Sequence, residues 1–449
     1  MPKVENKESR PVFGGKITGA LRVLGNEENP GEGLLSIGNY MALDHSRGAA
    51  VYLDALKPHA ILICGKRGYG KSYTMGCMLE ELALLEPAIK KRLASLIIDT
   101  MGIFWTMNHP NTFETQRLKS WDLVPAGLET EIFVPAGKVE AYRKRNIDVK
   151  PFSISIRELS GSQWCRIFNI EEVSPLGILL VRAIESLRDK GYAYSFEEII
   201  DEVLEDTRAD SASKGAAENY FRAVNSWGLF SKEGTSLSEL VSGGKTTVLD
   251  VSTLENENVC AAAVSILAGR LYEARLEARR AYEKKLMGEK VGEEEFPMVW
   301  FFIDEAHIFV PAKTESLASG VLINRCLRQG RQPGLSLILA TQRPASLHPD
   351  VVSQSDLLIC HRLTSSDDIL ALETSRPLYM QESLQAYLKK MGSERGAALI
   401  VDDHSESVHL VRIRPRISWH GGGEPSALEP HSEEISEKTT HQLPGQLIF

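Results

Sequence analysis

Two spacings of apolar residues alternate along this chain. Short apolar-rich runs recur at 60–64 (AILIC), 96–99 (LIID), 246–251 (TTVLDV), 298–305 (MVWFFIDE), 335–342 (LSLILATQ), 356–363 (DLLICHRL), 396–403 (GAALIVDD) and 407–414 (SVHLVRIR). Runs of this kind read as strands buried on both faces. Between several of them lie stretches with apolar residues at i, i+3 and i+4, the spacing of a helix with one buried face. Strands alternating with helices predict an α/β fold, a mostly parallel sheet with helices on both sides. Only residues 404–406 separate the last two runs, which predicts an antiparallel hairpin at one sheet edge.

The same pattern divides the chain. Residues 1–10 read as a disordered lead-in. Short β-type segments broken by NEENPGEG continue to residue 57, a β-rich unit or sheet edge. The α/β pattern begins at 58 and runs to 120. Residues 121–242 read as an insert, first mixed and turn-rich, then helical from 154 onward, with helices over 176–187, 196–204 and 219–230. The α/β pattern resumes over 243–415, with a long helix over 259–286 that is apolar at first and charged later. Residues 416–449, rich in Gly, Pro, Ser and Glu, read as a disordered tail.

Composition narrows the class. With 449 residues the chain can bury a large core. No apolar run approaches the roughly 20 residues of a membrane span, and the polar N-terminus lacks a signal-peptide core, so no membrane association is expected. The six cysteines (64, 77, 165, 260, 326 and 360) form no C-x-x-C pair and mostly sit in apolar runs, as reduced core residues of a cytoplasmic protein would. A net charge of −9 argues against a broad DNA-coating surface, but not against a local basic track. The basic run 141–150 (AYRKRNIDVK) is most simply a solvated face.

The strongest local signal follows the first buried run. Gly65, Gly70, Lys71 and Ser72 fit G-x-x-x-x-G-K-[ST], between a strand and a helix-forming stretch, the context that this phosphate-binding loop requires. Its glycines let backbone N–H groups converge on phosphates, and the helix N-terminus adds partial positive charge. Nucleotide contact is therefore expected from Gly65, Lys66, Arg67, Gly68, Tyr69, Gly70, Lys71, Ser72 and Tyr73. Lys71 would neutralise the β- and γ-phosphates of ATP, and the Ser72 hydroxyl would hold Mg²⁺.

The run MVWFFI ends in Asp304 and Glu305. Opposite a phosphate loop, Asp304 would serve Mg²⁺ and Glu305 would orient and deprotonate the attacking water. Gln342 ends the next run, where an amide can sense the γ-phosphate. Asp99 ends another, as a supporting acid or a plain turn residue. Arg325, Arg328 and Arg331 lie between these runs in VLINRCLRQGRQPG. Their spacing predicts that Arg325 and Arg328 share a helix face. Arg331, and alternatively Arg328, could complete a neighbouring subunit's site as an arginine finger. His307, beside the acids, reads as structural.

Taken together, GKRGYGKS, FFIDEAH, RQGRQPG and ATQRPASLHPDVVSQSDLLICHRLTSSDD resemble the HerA branch of the FtsK–HerA ring ATPases, over roughly residues 35–415. The resemblance implies a RecA-like core, a homo-hexameric ring, ATP-driven translocation of double-stranded DNA and a nuclease partner of the NurA kind. It places Lys71 and Ser72 on the family's phosphate and Mg²⁺ residues, Asp304 and Glu305 on its second acidic motif, Gln342 on its sensor and Arg331 on its trans-acting arginine. Two stretches depart from the family pattern. Only about 55 residues precede the P-loop strand, where a longer β-barrel is usual, and Gly102 is followed by Ile103 and Phe104 where an acid is frequent. Two other readings stand beside the DNA motor: a secretion- or conjugation-type ATPase with another cargo, and a nucleotide-dependent scaffold in a nuclease complex.

Overall fold

The structure, a computed structural model, describes residues 22–26, 31–42, 47–290, 296–375 and 379–423. The expected lead-in 1–10 and the tail beyond 423 lie outside the described residues. The strands in chain order are β1 (Arg22–Leu24), β2 (Leu34–Met41), β3 (Arg47–Asp54), β4 (Ala60–Cys64), β5 (Leu93–Asp99), β6 (Thr130–Pro135), β7 (Lys150–Phe152), β8 (Ile154–Ser155), β9 (Phe230–Ser231), β10 (Thr246–Asp250), β11 (Met298–Ile303), β12 (Leu335–Thr341), β13 (Leu357–Cys360), β14 (Ala397–Asp402) and β15 (Ser407–Ile413). The main helices are α1 (Lys71–Leu84), α2 (Gly161–Phe168), α3 (Pro175–Asp189), α4 (Phe196–Glu205), α5 (Ser211–Asn225) and α6 (Glu257–Leu286).

Thirteen strands form one sheet in the order β1-β3-β2-β15-β14-β13-β4-β12-β11-β5-β10-β6-β7. Every pair from β13 through β4 to β7 is parallel. The apolar runs explain this middle: β4, β5, β10 and β12 are buried at every residue, so helices must cover both faces. The order brings the carboxyl ends of β4, β12, β11 and β5 side by side, where ligands bind in open α/β sheets.

Three sequence expectations are corrected. The β14–β15 hairpin is antiparallel but is not the edge, because β2 pairs with β15 and carries β3 and β1 beyond it. Residues 130–152 are not the start of the insert: they supply β6 and β7 to the main sheet, and the helical unit begins at about 154. Residues 416–420 are not disordered, since Arg416 and Ser418 are fully buried.

The helical unit packs around Trp164, which contacts the rings of Phe168, Phe196, Phe221 and Phe230 at centroid distances of 5.1–5.9 Å. Capping boxes, Ser160 with Gln163 and Ser195 with Glu198, start α2 and α4. α5 stops at Asn225, short of the expected Phe230. Gly228 turns the chain at φ 63° against Gly137, and Phe230 pairs with Ile154 in the small β8–β9 sheet. The six cysteines are free thiols, all buried. No helix among the described residues is long and apolar enough to cross a membrane. In the run 141–150, Tyr142 is buried on Asp250 while Arg143, Lys144 and Arg145 are exposed.

Candidate active site

β4 ends at Cys64 and the chain turns into the phosphate loop. The loop lies on His361, just past β13. A Cβ on Gly65 would fall 2.6 Å from the His361 Cβ, and one on Gly70, at φ 119°, 3.2 Å from its Cε1. Only glycine permits this approach. His361 donates its Nδ1–H to the Ala397 carbonyl (2.9 Å) and accepts the Thr74 hydroxyl at Nε2 (2.9 Å). Burial pushes its pKa down to about 4, so it supports the loop as a neutral ring. Gly65 and Lys66 are framework. Their N–H groups donate to the Thr341 and Arg362 carbonyls, and neither lines the cavity above the loop.

That cavity, about 390 Å³, is lined by residues 67–74, Glu305 and Gln342 among others. It therefore brings together Arg67, Gly68, Tyr69, Gly70, Lys71, Ser72 and Tyr73 as the motif predicts. Lys71 opens α1 and is nearly buried; desolvation lowers its pKa while Glu305 and Asp304 pull it back up. The Ser72 hydroxyl donates to Asp304 Oδ2 at 3.4 Å. Burial, with Glu305 adjacent, raises the Asp304 carboxyl to about 6. A hydroxyl and a buried carboxylate this close form an all-oxygen donor pair that suits Mg²⁺.

Glu305 adopts φ 47°, a strained conformation for a residue with a side chain, two residues past the end of β11. Gln342 Nε2 donates to its Oε1. Burial lowers the His307 pKa against the pull of Glu305, and its Nδ1 shares a hydrogen bond with the Thr341 hydroxyl (3.2 Å). Glu305 Oε2, on a residue that lines the cavity, makes no hydrogen bond among the described residues, and His307 Nδ1 lies 3.4 Å from it. This oxygen is free to accept from a water bound there.

The arginines lie elsewhere. Residues Val321–Leu327 form a π-helix, whose wider turn breaks the expected shared face. Arg325 pairs with Glu273 on α6, whereas Arg328 pairs with Asp350. Arg331 contacts His404 Nε2 (3.0 Å) and Asp356 Oδ2 (3.4 Å), by the amino ends of β4 and β13. Neither Arg328 nor Arg331 lines its own chain's cavity. Asp99 accepts four backbone N–H groups, from Met101, Gly102, Ile103 and Phe104, at 2.8–3.1 Å. It shapes the loop after β5, and that loop's Ile103 lines the cavity.

Several lining residues carry no motif: Arg117, Arg395, His420 and residues 421–423. His361 was visible only as a polar residue closing an apolar run. The glycines 421–423 signalled flexibility, not a wall.

Comparison with known proteins agrees with this geometry. The family described as "Helicase HerA, central domain" matches residues 35–271, more than half of the chain. The DNA double-strand break repair helicase HerA of Pyrococcus furiosus is 29% identical over 195 residues, 40% of this chain and 34% of that protein. Its namesake in Saccharolobus solfataricus is 26% identical over 227 residues, 49% of this chain and 42% of that one. The chain thus spans well under half the length of these curated relatives. In fold it is similar to VirB4 of Thermoanaerobacter pseudethanolicus, with a TM-score of 0.52 at 14% identity, covering 86% of this chain and 97% of that one. With a phosphate loop facing a strand-end Asp-Glu pair in a RecA-like sheet, and a family match across more than half its residues, the chain belongs to the HerA helicase family of P-loop ATPases.

Proposed function

We propose that the chain is an ATP-hydrolysing motor that translocates along or unwinds double-stranded DNA as a ring. The observation that carries hydrolysis is Glu305, which lines the cavity above Lys71 and Ser72 and whose buried Oε2 makes no hydrogen bond among the described residues, with His307 Nδ1 near it at 3.4 Å. Lys71 neutralises the β- and γ-phosphates. Ser72 and Asp304 would hold Mg²⁺, which offsets the charge on the phosphate oxygens. Water attacks the γ-phosphorus, its proton passes to Glu305 Oε2, and ADP leaves. Gln342 fixes Oε1, so that Oε2 keeps its aim.

The ring reading draws on the placement of Arg331. It sits by the amino ends of the strands whose carboxyl ends hold the phosphate loop, so the site that it could complete is a neighbour's. DNA as cargo follows from the break-repair helicases that this chain is similar to. A homo-hexamer and a nuclease partner belong to the same proposal through the family resemblance.

The test is ATP turnover of the purified chain with and without linear double-stranded DNA. Several-fold stimulation is expected, and Glu305→Gln should lower turnover by at least about 100-fold. Turnover indifferent to DNA would refute the cargo; no turnover at all would refute the motor.

A further inference from the structure

The cavity has a second end that the phosphate loop does not explain. Beyond Tyr73 it is walled by Arg117, Arg395, His420 and the backbone of 421–423. In a P-loop the backbone N–H groups run along the phosphates. A nucleotide with its γ-phosphate near Glu305 must therefore place its sugar and base in the space past Tyr73.

That end is built around the Tyr73 ring. Its hydroxyl donates to Glu114 Oε2 (2.8 Å) and accepts the Arg416 N–H (2.7 Å). The Arg117 guanidinium lies 5.8 Å from the ring centroid, held by Glu114 at 2.7 Å. The His420 ring meets it edge-on at 5.3 Å and accepts from Arg416 Nη1 at 3.2 Å. Burial keeps His420 neutral, with a pKa near 4. A Cβ on Gly421 would lie 2.8 Å from the Ile103 carbonyl, and one on Gly422 2.9 Å from the His420 ring. The wall is therefore peptide backbone, pressed against the loop after β5 at Gly421 and against the His420 ring at Gly422, with Gly423 lining the cavity in open space.

We propose that this end is the nucleoside subsite: Arg117 and His420 flank the base, and the backbone of 421–423 closes over it. The planar guanidinium and the neutral imidazole are both suited to stacking on an aromatic base. The segment after β15 thereby becomes part of the ATP site. This rests on the ATPase reading above.

Hydrogen–deuterium exchange on the full chain tests it with two probes, tripolyphosphate and the non-hydrolysable ATP analogue AMPPNP. Both should protect amides in 65–73, and only AMPPNP should also protect 419–423. Protection of 65–73 by AMPPNP with 419–423 unchanged would overturn the subsite and leave the ATPase reading intact. Protection of 419–423 by tripolyphosphate as well would overturn it too, because the base would then not be required. Protection of 65–73 by neither probe would defeat the ATPase reading and the subsite with it.

Binding by the variants gives a second measurement. Arg117→Ala and His420→Ala should each weaken AMPPNP at least about fivefold, with tripolyphosphate unchanged within about twofold. Arg117→Lys, which keeps the charge but loses the plane, should not restore affinity. Equal weakening of both ligands would refute the assignment.

Discussion

Glu80 is a carboxylate of the phosphate-loop helix with no exposure to solvent, and it pins the segment after β15 to that helix. It accepts from Arg414 Nη1 (2.8 Å), Arg416 Nε (3.4 Å), and the N–H groups of Ile417 (3.1 Å) and Ser418 (2.9 Å). The Ser418 hydroxyl adds a fifth donor at 2.6 Å. Glu81 pairs with Arg414 at 2.8 Å, so two buried cations face two carboxylates. Glu80→Gln keeps the shape and removes one charge. Its amide nitrogen cannot accept, so at least two of the five donors lose their partner. At about 1–3 kcal/mol for each buried unsatisfied group this costs roughly 2–6 kcal/mol, in line with about 3–5 kcal/mol for breaking a buried ion pair. With an unfolding entropy near 2 cal/mol/K per residue, a loss of about 4 kcal/mol lowers Tm by roughly 4 °C if the whole chain melts as one unit. Thermal unfolding followed by circular dichroism measures it. A Tm within about one degree of the parent would refute the reasoning, because it would mean that these contacts contribute nothing net.

Gly70→Ala places a side chain at φ 119° and 3.2 Å from His361, so nucleotide affinity should fall roughly tenfold for about 1–3 kcal/mol of strain; titration with AMPPNP checks it. His361 ionises near pH 4 when folded against 6.5 when free. The unfolded chain thus binds the proton first, and the stability from this residue is present above pH 6.5 and lost as pH falls toward 4, by up to about 3 kcal/mol. His361→Gln should flatten that slope in urea unfolding between pH 7 and 4.5; an unchanged slope would count against it. Arg331→Ala should leave AMPPNP affinity within about twofold while turnover of the assembled protein drops by at least about tenfold. Loss of binding in that variant would place Arg331 in its own chain's site instead.

Much of this was legible because it is local. Four to six successive apolar residues bounded by turn signals suit a short strand covered on both faces better than a longer helix, so β4, β11 and β12 could be read directly. The phosphate loop is contiguous, and its spacing carries its chemistry. Asp304, Glu305 and Gln342 end strands whose neighbours follow from the α/β pattern. Other features needed distant parts of the chain to meet. The hairpin after β13 looked like an edge because nothing in it encodes the pairing of β2 with β15. The helical periodicity of VLINRCL could not reveal a π-turn that separates Arg325 from Arg328. A segment ending in three glycines lacks the apolar content that predicts order, yet Glu80, more than 300 residues earlier, buries Arg416 and holds it beside the nucleotide pocket. Local propensity and motif spacing set the sheet and the catalytic end of the site. Burial of charge between remote segments decided its far wall, because that wall exists only once both partners have left water together.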